Sequence, residues 1–221
     1  YRVGDFYEMF FDDALTASKA LEITLTGKDC GQEERAPMCG VPYHAYEVYA
    51  NRLIEQGYKV AICEQVEDPK QAKGLVKRDV IQIITPGTNL STQNLKEGQN
   101  NYIMSIYAFD NAYGIAVADI TTGEARTCQV TSQEKCKDEI NKYQPSEIIC
   151  NETLLCQDWD WDYYRERLHI TISAIDDWHF NEEQAANCLL KHFKVQSLEA
   201  LGLKDRSLTV IASGALMEYL I

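Results

Sequence analysis

The sequence lacks a surplus of positive charge: 21 lysines and arginines stand against 34 aspartates and glutamates, a formal net charge of −13. Proteins that grip nucleic acid through broad phosphate contact are basic, because neutralising phosphates drives their affinity. Neither half is such a clamp. Residues 1–90 carry 10 basic and 14 acidic residues, a balance of −4, and the remainder carries 11 and 20, a balance of −9. Any nucleic-acid contact must therefore rest on a few local residues, with most phosphate binding supplied elsewhere. There is no Gly-x-x-x-x-Gly-Lys-[Ser/Thr] stretch to cradle a nucleotide's phosphates. No two of the eight cysteines have Cys-x-x-Cys spacing, which removes a zinc knuckle and a thioredoxin-like redox pair. No apolar run approaches the length of a bilayer crossing, so we expect no membrane span. Tyr1-Arg2-Val3-Gly4-Asp5 lacks the basic and apolar regions of a signal peptide. With no initial Met, and an end inside the apolar stretch from Gly214 to Ile221, both termini read as cuts in a longer chain.

What is present is ordinary globular material, 45% hydrophobic and 25% charged. Several cysteines lie in apolar runs, such as Ile62-Cys63 and Ile149-Cys150, where a free thiol acts as a small hydrophobe. Reduced thiols and a cytoplasmic location are the expectation. Thr85-Pro86-Gly87-Thr88-Asn89 and the polar run Ser91 to Asn101 are turn and linker chemistry. They divide the chain into residues 1–90, a linker over 91–101, and residues 102–221.

The first part predicts mixed α/β structure. Asp12 is a candidate N-cap for a helix carrying Ala14, Leu15, Ser18 and Leu21 on one stripe. Tyr46, Tyr49, Ala50, Leu53 and Ile54 follow helical spacing up to Gly57. Tyr58–Ile62 and Val80–Ile84 are strand-like. The second part opens with three strand-like runs, Tyr102–Phe109, Tyr113–Asp119 and Glu124–Val130, separated by Asp110-Asn111 and Thr121-Thr122-Gly123. Ser132 caps a helix through Tyr143, and Glu147–Cys150 is a short strand. A strand over Leu168–Ile172 and helices over Glu182–Phe193 and Ser207–Ile221 complete it. Three antiparallel strands followed by alternating helices and strands is a ribonuclease-H-like order, an analogy of fold that carries no activity with it.

One segment points to chemistry. In Gly4-Asp5-Phe6-Tyr7-Glu8-Met9-Phe10, Phe6 and Glu8 are two apart, so on a strand they share a face with Tyr7 opposite. That face offers a flat apolar wedge beside a carboxylate. Taken alone, the pair is far more often the pattern of a core aromatic next to a solvated strand-end charge.

Four blocks carry a resemblance. Gly4-Asp5-Phe6-Tyr7-Glu8 is similar to the Phe-x-Glu signature of the mismatch-binding domain of the MutS DNA mismatch-repair family. Met38-Cys39-Gly40-Val41-Pro42-Tyr43-His44-Ala45, Val60-Ala61-Ile62-Cys63-Glu64-Gln65 and Ile84-Thr85-Pro86-Gly87-Thr88 resemble that domain's later blocks, in the family's order. The second part resembles the family's connector domain through its strand order and Ala118-Asp119-Ile120-Thr121-Thr122-Gly123. The resemblance implies a mixed-sheet α/β mismatch-recognition domain followed by a ribonuclease-H-like α/β connector. It implies that Phe6 enters the duplex from the minor groove and stacks on a mispaired base, and that Glu8 hydrogen-bonds that base. A carboxylate near phosphates is repelled, so we expect Glu8 to take or share a proton in the bound state. Lys28, beside Gly27 in a loop, and Lys77-Arg78, before the last strand of the first part, are candidate phosphate contacts. Met38, in a glycine–proline loop, is a candidate contact to sugars or bases. The Pro42-Tyr43-His44 turn shapes that loop. Mismatched double-stranded DNA, a MutL-type partner of the connector, the remaining MutS domains and, in the full-length protein, a second copy are the implied partners. ATP and Mg²⁺ are implied for a region outside this chain, so no catalysis is expected here.

Two alternatives remain at this point. A metal-dependent nuclease would need carboxylates converging on its ions, and Asp110, Asp119, Asp176 and Asp177 are the candidates, with turn and cap roles competing for each. Cys39 and His44 share one tight loop, with nothing in the sequence to orient them as nucleophile and base. A protein-interaction module would use Trp159, Trp161, Tyr163 and Tyr164 among their acidic neighbours, unless these aromatics are core.

Overall fold

The computed structural model describes residues 1–31, 34–67, 76–90 and 100–221. Of the linker expected over 91–101, residues 91–99 lie outside the described residues. The chain divides into two compact units, Tyr1–Asn94 and Leu95–Ile221.

In the first unit, β1 (Arg2–Val3) turns through Gly4, at φ +58°, into β2 (Phe6–Phe10), which runs directly into helix α1 (Phe11–Leu21). This junction moves the expected N-cap. Phe10 holds the cap position without a side-chain bond, while Asp12 and Asp13 lie in the first turn. There they face the positive end of the helix dipole. The buried stripe runs through Ala14, Ala17, Ser18 and Leu21, leaving Leu15 exposed. β3 (Thr26–Lys28) and β4 (Ala36–Pro42) follow, and the sheet order among the described residues is β1-β2-β4-β3. Lys28 and Met38 thus stand on strands, not in the expected loops. Pro37, Gly40 and Pro42 suggested a loop, yet both prolines lie near the ends of β4, where a missing N–H costs least.

A 3-10 turn at Tyr43–Ala45 leads into α2 (Tyr46–Glu55). Gly57, at φ +84°, closes this helix, and the Tyr58 N–H returns to the Leu53 carbonyl at 3.1 Å. Because Tyr58 is used there, β5 begins later than expected, at Val60, and runs to Gln65. It pairs antiparallel with β6 (Arg78–Ile84), which places Arg78 on a strand. The core joins Tyr7, Cys39 and Val41 from the sheet to Ala14, Ala17 and Leu21 of α1, with Leu53 of α2 and Ile62 of β5.

The second unit is an α/β layer structure. β7 (Tyr102–Phe109), β8 (Ala112–Asp119) and β9 (Glu124–Val130) form the expected meander, β8 starting one residue earlier. Asp110 and Asn111, both at positive φ, make the two-residue turn. Ser132 caps α3 (Gln133–Tyr143) by accepting from the Lys135 N–H. β10 (Glu147–Cys150) then lies parallel to β7, and Asn151 caps α4 (Glu152–Leu155). A π turn at Tyr163–Arg167 delays the next strand, β11 (Thr171–Ala174), which pairs parallel with β10. The sheet order β11-β10-β7-β8-β9 is ribonuclease-H-like. Helices α5 (Glu182–Phe193) and α6 (Ser207–Leu220) complete the unit.

Both faces of this sheet are covered. Met104, Ile106, Ile115 and Val117 pack with Cys136 and Ile140 of α3 on one side, and Ile103, Ala116, Ala118 and Ile149 pack with Ala212 and Leu216 of α6 on the other. Alternation therefore disappears along β7 and β8, which read as apolar runs. Trp159, Trp161 and Tyr164 belong to the first of these cores, the two indoles stacked 4.7 Å apart, and of the four aromatics only Tyr163 is exposed. Burial of the two indoles in the α3-side core thus decides for the core role of Trp159, Trp161 and Tyr164 over the docking surface that was its alternative. Among the described residues, no helix is long and apolar enough to cross a membrane.

Candidate nucleic-acid interface

The register of the first sheet decides what the Phe6–Glu8 pair faces. Phe6 pairs with Pro42, Glu8 with Gly40 and Phe10 with Met38, while Met38 also pairs with Thr26 and Ala36 with Lys28. Partners in register share a face, so Phe6, Glu8, Met38 and Lys28 stand together. α1 and the core take the opposite face, where Tyr7 and Cys39 point.

Phe6 is 47% exposed, so its ring is not a core aromatic. Its position at the first residue of β2, beside the Gly4 turn, gives it an open flank. Gly40 keeps the neighbouring surface clear. A Cβ there would stand 3.7 Å from the Phe6 ring and 3.6 Å from the Glu8 Cγ, between the two side chains.

Glu8 is less accessible, its side chain 14% exposed, and it forms an ion pair with Lys28 reaching across from β3. The Lys28 ammonium also lies 5.3 Å from the Phe10 ring centre, within cation–π range. Behind this face, the Tyr7 hydroxyl donates to Glu64 on β5. Burial, and then that bond, push the Tyr7 phenol up to about 12. The pair pins the rear of β2 to the β5–β6 ribbon.

Of the remaining candidates, Arg78 donates to the Arg2 carbonyl at 3.2 Å and to the Val76 carbonyl at 3.1 Å. It braces the β1–β2 hairpin that carries Phe6. Lys77 is exposed at the entry to β6. Sequence reasoning missed Arg2, and gave Tyr43 only a part in shaping its turn. The Arg2 guanidinium lies 3.6 Å over the Tyr43 ring, and the Tyr43 N–H donates to the Asp5 carbonyl at 3.0 Å, next to Phe6. The signal for it was the turn itself, since a hairpin at Gly4 folds Arg2 back along β2.

The other sequence candidates are engaged in structure. The buried Asp119 carboxylate accepts from the Thr121 N–H and hydroxyl at 2.8 and 2.6 Å and from the Asn101 N–H at 3.3 Å. Burial alone would raise it, but these hydrogen bonds hold it below the usual carboxylate range. Asp176 accepts from the Trp178 indole, and Asp110 forms its turn. No group of three or more His, Cys, Asp or Glu among the described residues is placed to hold a metal. The Cys39 thiol donates to the Ala14 carbonyl in the core, where burial pushes it up, while His44 is exposed.

Against this geometry, residues 1–93 match the family model described as MutS domain I, and residues 101–221 match MutS domain II. A DNA mismatch repair protein MutS of Lachnoclostridium phytofermentans is 59% identical over 220 residues, all of this chain and 24% of that protein. Proteins of the same name from Acetivibrio thermocellus and Ruminiclostridium cellulolyticum are 51% and 49% identical, again over the whole chain. The chain spans about a quarter of the length of these relatives.

Proposed function

The chain belongs to the MutS family of DNA mismatch-repair proteins, and from that premise we propose that its first unit senses mispaired or unpaired bases in duplex DNA. Phe6 is the wedge. It enters from the minor groove and stacks on a base, which unstacks one step at a cost of about a few kcal/mol and kinks the duplex. A mispaired base is already poorly held, so displacing it costs less than displacing a paired one. The protein thereby reads deformability and not sequence. Glu8 hydrogen-bonds the displaced base. Lys28 and Met38 line the same face, and Arg78 supports it through the hairpin, with Lys77 a peripheral phosphate contact.

The observation that carries this proposal is the exposed Phe6 ring beside Glu8 on a surface kept clear at Gly40. A net charge of −13 means that most phosphate binding comes from elsewhere in the full-length protein. Residues 1–90 are assigned to mismatch recognition, 91–101 to the linker and 102–221 to a connector that contacts a MutL-type partner and the protein's other domains. A cytoplasmic homodimer that uses ATP and Mg²⁺ in a region beyond this segment completes the assignment, with no catalysis by the segment itself.

The test is Phe6→Ala in the full-length protein, measured on a duplex with one unpaired thymine and on its matched counterpart at fixed salt. The preference for the unpaired site should fall roughly ten- to a hundredfold, as expected for loss of one base–aromatic stack. Stability should change by less than about 0.5 kcal/mol, because the ring is exposed. A preference that survives the substitution removes Phe6 as the sensor.

A further inference from the structure

We infer that Lys28 is a positioning and specificity-determining residue: it remains the counter-charge of Glu8 when DNA is bound, so that Glu8 meets the base as an ionised, neutralised acceptor. This rests on the mismatch-sensing role of the first unit. The starting point is the Glu8–Lys28 ion pair, which joins β2 to β3 across the width of β4. The crossing is diagonal, because Glu8 is level with Gly40 of β4 and Lys28 with Ala36, and the long lysine side chain covers the offset.

The surroundings make Lys28 the natural partner. From β3, Lys28 faces Glu8, and from β4, Gly40 adds no charge. From β1, the Tyr1 nitrogen and carbonyl bond the Glu8 backbone, and the Arg2 guanidinium is stacked on Tyr43. Glu64 on β5 is bound by Tyr7 on the opposite face, and Asp13 of α1, Lys59 and Cys63 line a cavity together with Glu8. The Phe10 ring gives the ammonium a second anchor. Lys28 is thus held before DNA arrives, with little ordering left to do on binding.

The consequence follows from electrostatics. A bare carboxylate pressed into a groove between two phosphate backbones is repelled, and it can escape by taking a proton, the route expected from the sequence alone, or by keeping a cation, the route that the Lys28 pair offers in its place. A carboxylate paired with Lys28 is locally neutral and still has lone pairs free to accept from a base N–H. Proton uptake would make affinity fall about tenfold per pH unit wherever binding takes up one proton. A retained lysine makes affinity independent of pH across the neutral range.

The experiment uses the full-length protein with the unpaired-thymine and matched duplexes, at pH 6.5, 7.5 and 8.5 and constant salt. Wild type should prefer the unpaired site equally at all three. Lys28→Met should lose about tenfold of that preference at pH 8.5, as for a lost charge-assisted hydrogen bond, and lose less of it as pH falls, because a proton taken up on binding can then replace the missing cation. Lys28→Arg should restore both the preference and the flat profile. In a Glu8→Gln background, Lys28→Met should leave the preference unchanged, even if affinity for both duplexes drops together through a lost phosphate contact. A wild-type affinity that falls steeply with pH, or a Lys28→Met protein whose preference and pH profile match wild type, overturns the inference. Wild type with no preference for the unpaired site would instead overturn mismatch sensing itself.

Discussion

The two units treat their main sheets in opposite ways. In the second, both faces of the five-stranded sheet are covered, by α3 on one side and α6 on the other, and β8 is buried from Tyr113 to Asp119 with Ile103–Ile106 of β7 buried beside it. In the first, α1 covers one face of the four-stranded sheet, and the other carries Phe6, Glu8, Met38 and Lys28 toward solvent. A sheet packed on both faces is a scaffold. A sheet packed on one face has a surface to spare, and here that surface holds an aromatic ring, a charge pair and a gap. The pattern of burial, more than net charge, separates the unit proposed to meet DNA from the unit proposed to support it.

The sharpest way to break this comparison is to disturb the packing of the second sheet. A Cβ at Gly114 would fall 2.0 Å from the Leu208 carbonyl oxygen and 2.8 Å from the Thr209 nitrogen, both backbone atoms of α6. Gly114→Ala should therefore destabilise the second unit by about 3 kcal/mol or more, since α6 must lift from β8. Chemical denaturation with amide-exchange readout should show loss of protection in β8 and α6, with β2 and β4 unaffected. Equal loss in both units would mean that they do not behave as separate packing problems.

A smaller effect is expected behind the open face. Tyr7→Phe removes the donor to Glu64 from a buried site and should cost about 1.5–3 kcal/mol, typical of a hydrogen bond to a charged group. Because the Tyr7 phenol is raised to about 12 in the fold, its contribution is complete below pH 10, the ordinary value, and is lost as pH rises through about 12. The alkaline arm of the first unit's stability profile should flatten in Tyr7→Phe.

The smallest effect concerns acid. Asp119 is held below its ordinary value of 3.8, so its contribution is complete above pH 3.8 and is lost as pH falls through the lower folded value. Asp119→Asn should cost about 1 kcal/mol near neutral pH, as for a weakened hydrogen bond, and remove that part of the acid arm, in the second unit alone. Alkali acting through Tyr7 and acid acting through Asp119 would thus probe the two units separately.

Where the sequence was legible, local chemistry and tertiary need agreed. Asp110-Asn111 made the turn its residue types demand, Ser132 capped α3, and Gly57 closed α2. Where it was not, a neighbour overruled a local signal. Asp12 lost its cap role because β2 runs into α1 without a break. Pro37, Gly40 and Pro42 signalled a loop, but β2 and β3 on either side make the segment a central strand. Trp159 and Trp161 stand among acidic residues in the chain and inside the core in space.

By itself, the sequence determined the family, the succession of elements and the alternation that sets Phe6 and Glu8 against Tyr7, because these follow from residue types a few positions apart. Only the tertiary structure decided that Phe6 stays exposed, that Gly40 clears the surface beside it, and that Lys28, 20 residues along the chain, meets Glu8. Those facts depend on strand order and register across β2, β4 and β3. Pairings between strands distant in sequence are fixed by which faces the whole unit can bury, and no local pattern encodes them.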